Sequence, residues 1–223
     1  MRVRLQVGVA STFTFITVAM IGATVAFLYF SNRNLAIETA QAEMTEARNV
    51  LVSEIMNVIV QTGRVVKTTA KLIAAFPDGA RSFDGMEVLY SQIEAAEQYY
   101  GLYFGLEEDG AFYQIVKLPQ GLDTFGPRND PVPVGTKIVL REIQGSPGEM
   151  TDRYVYQSAW GKITGSETGQ VDYDPRTRPW YKAAAARDDV FVTRLYRFQS
   201  TGRPGVTFAH RVVDRDGKLI GVV

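Results

Sequence analysis

The sequence has no cysteine and a single histidine, His210. Without cysteine there are no disulfides and no thiolate metal sites. No His/Asp/Glu cluster has metal-ligand spacing, and neither a G-x-S-x-G elbow nor a glycine-rich phosphate loop occurs. Asp109-Gly110 and Asp216-Gly217 are turn pairs, and calcium needs many more oxygens at fixed spacing. Ser200 has no partner base in the sequence, and His210 reads as a hydrogen-bonded strand residue. The expectation is therefore no enzyme, no metal and no cofactor. An excess of one charge is also lacking, with 24 basic and 24 acidic residues, so no nucleic-acid partner is expected. A bacterial periplasm suits a cysteine-free domain of this size, whereas eukaryotic extracellular domains usually carry disulfides.

What charge there is avoids one stretch. Leu5 to Phe30 contains no charged residue. As a helix it would extend roughly 39 Å, against a hydrocarbon core of about 30 Å. A cleaved signal peptide has a shorter apolar segment, so a permanent anchor is the favoured reading. Arg2 and Arg4 precede the run and every acidic residue follows it. The positive-inside rule then puts the N-terminus in the cytoplasm and the rest beyond a bacterial inner membrane. The expected division is 1–4 cytoplasmic, 5–30 transmembrane, 31–76 a long helix, and 77–223 a sheet domain.

The long helix is read from a series recurring every seven residues: Ile37, Met44, Leu51, Val58, Val65 and Leu72. Its alanine-rich start makes a narrow seam and its later part a broader stripe. Two readings stay open, a homodimer through the helix or an amphipathic helix docked on its own domain. "PDG" at Pro77–Gly79 ends it, and a second helix is expected over Met86–Gln98. The period then changes from helical to β. "YYGLYFGLEEDGAFYQIVKL" reads as a hairpin turning at residues 107–110, followed by a Pro/Gly-rich loop over Leu118–Gly135. Strands are expected at Lys137–Glu142 and Arg153–Ser158, then in "VFVTRLYRF", "GVTFAHRVVD" and "GKLIGVV". This order implies an α+β domain with one central antiparallel sheet. Val223 falls inside the last expected strand, from which a longer natural protein is expected.

The densest chemistry lies in "DYDPRTRPWY", Asp172–Tyr181. Asp174-Pro175 and Thr177 before Pro179 signal turns and helix starts. Trp180, Tyr181 and the following "KAAAA" continue as a short helix. Backbone N–H groups at such a corner attract anions, and Arg178 adds a two-pronged donor suited to a carboxylate. Tyr173, Trp180 and Tyr181 supply flat walls. The competing reading is a packed corner whose arginine and aspartate are tied to each other.

The pattern resembles the double Cache sensor domain of bacterial transmembrane receptors. "DPRTRPWYKAA", "TGRPGVTFAH" and "DRDGKLIGVV" follow the span, long helix and aromatic hairpin in that family's order. The resemblance implies a PAS-like central sheet and an extracytoplasmic pocket for a small-molecule ligand. By the same resemblance Tyr173, Arg178, Trp180, Tyr181 and Tyr196 line it, with Arg178 holding a carboxylate. Phe198 stands where the family's amino-acid-binding branch has an aspartate for the ligand's ammonium, which argues against an amino acid. The function implied is ligand sensing for a membrane-bound signalling protein, chemotactic or enzyme-linked. The alternative is an anchoring and scaffolding region of a membrane enzyme such as a nucleotide cyclase.

Overall fold

The computed structural model describes residues 2–94, 96–126, 129–145, 149–198 and 200–223, with side chains from residue 10 onward. The expected apolar span and the helix behind it form one helix, α1, Arg2–Ala75. No proline interrupts its 74 residues, so nothing removes a backbone donor along the way. It is the one helix among the described residues long and apolar enough to cross a membrane, with a mean hydropathy of 2.0 over its most apolar window. The side chains of Arg2 and Arg4 lie outside the described residues.

The chain divides into two compact units, Met1–Val58 and Ile59–Val223. In the first, Ile37, Met44 and Leu51 of the seven-residue series are exposed. In the second, the end of α1 buries Thr62, Thr69, Ala70 and Ile73. Those residues form one stripe at helical spacing. This end of α1 thus docks on its own domain, with Val65 and Leu72 only half-buried.

After the short helix α2, Pro77–Ala80, comes α3, Phe83–Glu94. It begins earlier than Met86 because the Ser82 hydroxyl accepts the Gly85 N–H at 3.1 Å, an N-cap. It ends before Gln98, where the Lys117 ammonium donates to the carbonyls of Ile93 (2.7 Å) and Ala96 (2.5 Å). That side chain adds a donor to the Ile93 carbonyl, which also accepts the Ala96 N–H at 3.3 Å, and ties the last turn to the strand that ends at Lys117.

The sheet is built from β1 Gly101–Leu106, β2 Phe112–Lys117, β3 Ile138–Gln144, β4 Thr151–Ala159, β5 Lys162–Gly169, β6 Arg211–Val213 and β7 Leu219–Val222. Its order is β6-β7-β1-β2-β3-β4-β5, with every pairing antiparallel. The α+β architecture with one antiparallel sheet is as expected. β5 is an addition: "KITGSETG" is polar and carries two glycines, so pairing with β4 rather than intrinsic β-propensity makes it a strand. The stretches expected as strands over 190–198 and 205–209 shorten to two-residue ribbons, Phe191–Val192 with Phe208–Ala209 and Tyr196–Arg197 with Pro204–Gly205.

Strand alternation separates the two faces. Tyr113 and Ile115 of β2, with Ile138 and Leu140 of β3, join Ala70 and Ile73 of α1 and Met86, Leu89 and Ile93 of α3 in one core. Phe112 and Ile143 point the other way, toward Trp180 and Tyr181 of a further helix, α4, Pro179–Ala185. Val116, Val139 and Tyr154 meet Phe125 of the Pro/Gly-rich loop on that second face.

Candidate ligand-binding site

The second face is incompletely filled. A cavity of about 560 Å³ lies between β1–β4, the corner leading into α4 and the hairpin of Tyr196–Arg197 with Pro204–Gly205. Its size and largely apolar lining are those of small-molecule pockets.

The corner is held by three devices. Asp174 caps a 3₁₀ turn, Pro175–Thr177, by accepting the Arg176 N–H at 2.9 Å. The Arg176 guanidinium folds back on the Asp174 carboxylate at 2.8 Å and donates to the Glu107 carbonyl at 3.1 Å. Beneath the turn Gly105 lets buried Pro175 approach, since a Cβ there would lie 2.6 Å from the proline's Cβ. The arginine tied to an aspartate within the motif is therefore Arg176. Asp174 keeps its carboxyl below the usual range chiefly through that hydrogen bond.

Arg178, the N-cap residue of α4, lines the cavity, and its Cζ lies 4.6 Å from the Tyr173 ring centroid. A second guanidinium, that of Arg141, lies 4.8 Å from the same ring and 5.2 Å from Tyr154. Arg141 is buried and forks onto buried Asp152, with Nε to Oδ1 at 2.9 Å and Nη2 to Oδ2 at 2.6 Å. Burial is the largest single influence and opposes its charge, but the Asp152 hydrogen bonds together with the electrostatic pull of Tyr154, Asp152 and Tyr173 raise its pKa. A paired, forked geometry of this kind is what makes a buried guanidinium tolerable.

Trp180 is buried at the cavity wall, edge-on to Tyr103 at 4.9 Å. The Tyr196 hydroxyl meets the Thr207 hydroxyl at 2.7 Å, and that hydroxyl also meets Tyr103's at 2.6 Å. Burial pushes the phenols of Tyr100 and Tyr103 up. It also raises that of Tyr173, against the pull of Arg178 and the Trp180 hydrogen bond. These three remain neutral at physiological pH, so they contribute hydrogen bonds and rings but no charge.

Four of the five residues expected at the site, Tyr173, Arg178, Trp180 and Tyr196, line this one cavity. Tyr181 does not: it is fully buried against Trp180 and donates its hydroxyl proton to Glu107 Oε2 at 2.8 Å. The helical turn that aims Trp180 at the cavity carries its neighbour to a different side, about 100° around α4. Arg141 and Tyr100 are lining residues absent from the expectation, and Phe198, standing in the place of the family's aspartate, lines the cavity as well. Arg141 had a signal: it shares its phase with Val139 and Ile143, while Asp152 shares its phase with Tyr154 and Tyr156. Opposite charges on the apolar phase of adjacent strands mark a buried pair. His210 pairs its backbone with Val223 in both directions, at 2.8 and 3.0 Å, and is not part of the cavity lining. Among the described residues no three His, Asp or Glu side chains cluster to hold a metal ion.

Residues 127–223 match the model of the family described as methyl-accepting chemotaxis protein-like, first PDC sensor domain. The matched segment takes in β3 to β7 and the corner that leads into α4. A curated relative, adenylate cyclase 1 of Rhizobium meliloti (strain 1021), is 28% identical over 204 residues, covering 86% of this chain and 29% of that protein. The chain thus spans less than a third of that relative's length. The sensory domain of the Campylobacter jejuni chemoreceptor Tlp3 superposes with a TM-score of 0.45 at 17% identity, over 76% of this chain and 53% of that one. The ligand-binding domain of the Pseudomonas fluorescens chemoreceptor CtaA, in complex with L-valine, gives 0.39 at 15% identity, over 75% and 52%. In this chain the cavity occupies the sheet face opposite α1 and α3.

Proposed function

We propose that the chain is the ligand-sensing part of a membrane-bound bacterial signalling protein. The apolar part of α1 anchors it, Arg2 and Arg4 face the cytoplasm, and the Cache domain is periplasmic. Two copies associate through the exposed series Ile37, Met44 and Leu51. The ligand is a small molecule bearing a carboxylate.

One observation carries the ligand reading: Arg178 and Arg141 both lie within 5 Å of the Tyr173 ring in a largely apolar cavity. The Asp152 carboxylate engages Arg141 through both its oxygens, and Arg178 supplies a further planar fork at the wall. The match to an adenylate cyclase supports an output of the nucleotide-cyclase kind. That match equally favours the second reading, an anchoring region of such an enzyme with no ligand of its own.

A thermal-shift and calorimetric screen of carboxylates, amines, amino acids and purines on the purified chain separates them. Arg178→Ala should cost at most about 1 kcal/mol of stability, because the side chain is half-exposed. Affinity for the carboxylate hit should drop by about 1.5–3 kcal/mol, roughly tenfold to a hundredfold in Kd. Arg178→Lys should restore little of it, since an ammonium lacks the fork. Unchanged affinity in both variants removes Arg178 as the anchor, and the absence of any hit leaves the scaffolding reading.

A further inference from the structure

The hairpin of Tyr196–Arg197 with Pro204–Gly205 builds the cavity wall away from the corner, and its chemistry differs. Phe198 lies parallel to Tyr100, at 5.2 Å and 8°, and edge-on to Tyr196 at 5.1 Å. The ring is fixed from behind as well. A Cβ on Gly205 would lie 2.3 Å from it, so only glycine permits this seat. The hairpin's own backbone is tied by the Phe198 N–H to the Arg203 carbonyl at 2.9 Å and the Gly202 N–H to the Phe198 carbonyl at 2.7 Å. Its tip is fastened to the facing loop by the Gly126 N–H on the Ser200 carbonyl at 2.9 Å. Phe198 and Tyr100 are therefore a pre-set aromatic stack rather than loose apolar filling.

The charges of the lining are unequal. Among the described lining residues buried Arg141, half-buried Arg178 and exposed Arg194 and Arg197 are cationic, and Asp172, also exposed, is the single acid. The nearby carboxylate of Asp152 neutralises Arg141, so the excess rests on Arg178, Arg194 and Arg197 against Asp172. A desolvated ammonium entering this cavity would meet guanidiniums and neutral rings, an arrangement that strongly disfavours it. An anion meets the opposite situation. Flat rings on the hairpin side add the preference that aromatic pairs have beyond simple area burial.

We infer that the cavity selects aromatic carboxylates lacking an ammonium group, with the ring on the Tyr100–Phe198 wall and the carboxylate among the arginines. This rests on the ligand-sensing reading above and narrows its ligand class. An α-amino acid with the same side chain is rejected for its ammonium, and an aliphatic acid for its lack of a flat face.

The test titrates the full chain in lipid nanodiscs, with empty nanodiscs as blank, using 3-phenylpropionate, hexanoate, L-phenylalanine and phenethylamine. Expected is binding of 3-phenylpropionate roughly tenfold tighter than hexanoate, a larger margin over L-phenylalanine, and no heat from phenethylamine. Phe198→Leu should bring 3-phenylpropionate down to the level of hexanoate while leaving hexanoate unchanged. Tyr100→Leu should do the same from the other side of the stack, and serves if the first variant does not fold. Equal affinities for the two acids in the unmodified protein overturn the inference, as does an aromatic preference surviving both substitutions. L-phenylalanine binding as tightly as 3-phenylpropionate overturns it too. If hexanoate binds and weakens in Arg178→Ala while the ring adds nothing, this inference alone falls. If no carboxylate binds, the ligand-sensing reading falls with it.

Discussion

The two faces of the seven-stranded sheet are made from the same strands but end in different states. On the α1/α3 side, Ile73, Met86, Leu89 and Ile93 close on Tyr113, Ile115 and Leu140 in a continuous apolar core. On the other side the short α4 and two-residue ribbons cover less of the sheet, and the uncovered part is the cavity. The same alternation that sends Leu140 to the core sends Arg141 to the cavity side. One face is closed by apolar packing, and the other carries polar groups that such a core would not accept.

That contrast can be broken from either side. The largest effect is expected from Asp152→Ala on the cavity side, which leaves Arg141 buried without its partner. A loss of about 3–5 kcal/mol is expected in denaturant unfolding, together with weakened carboxylate binding. Replacing both members, Arg141→Met with Asp152→Leu, should recover much of the stability and none of the binding. A small loss in the single variant would show that the pair is wetter than its geometry implies.

On the helix side, Ile73→Ala removes a fully buried side chain from the core and should cost about 2–4 kcal/mol. Carboxylate affinity should be unchanged within error, because the residue lies across the sheet from the cavity. Altered affinity would show that the faces are coupled.

Gly105→Ala tests where they join. The added methyl would overlap Pro175, and overpacking of this kind costs about 1–3 kcal/mol. Since that turn leads directly into Arg178, affinity should fall along with stability. Lost stability with retained affinity would show that the corner yields without moving the site.

The smallest effect concerns His210, whose pKa is lowered first by burial and then by the charges of Lys67 and Arg211. The folded value lies below the ordinary value of about 6.5. The unfolded chain therefore takes up the proton first as pH falls. This contribution to stability is complete above the unfolded value and is lost as pH drops through the folded one. The thermal midpoint should decline from pH 7.5 to 5.5, and the decline should be shallower in His210→Gln. Parallel curves would assign the decline to other groups.

Most of the fold was readable from local pattern. The β1–β2 hairpin, the Asp214–Gly217 turn and the helix at Trp180 lie where alternation and turn residues put them. What failed was legible only through a partner. β5 is polar and becomes a strand by pairing with β4, and the ribbons near the cavity are too short and too rich in glycine and proline to read as what they are. The start of α3 does have a local signal, Ser82, whose hydroxyl caps it.

Taken alone, the sequence determined a cysteine-free α+β chain with one apolar run fit to cross a membrane, and a corner dense in arginine and aromatic rings. These follow from composition and from periods of 2 and 3.6, which act over a few neighbouring residues. The tertiary structure decided which of those corner residues meet. It turned Tyr181 away to Glu107 and brought Arg141 from β3 and Phe198 from a distant hairpin to the same cavity as Arg178. Such meetings depend on strand register and on the close approaches at Gly105 and Gly205, which involve residues far apart in the chain, so no local pattern contains them.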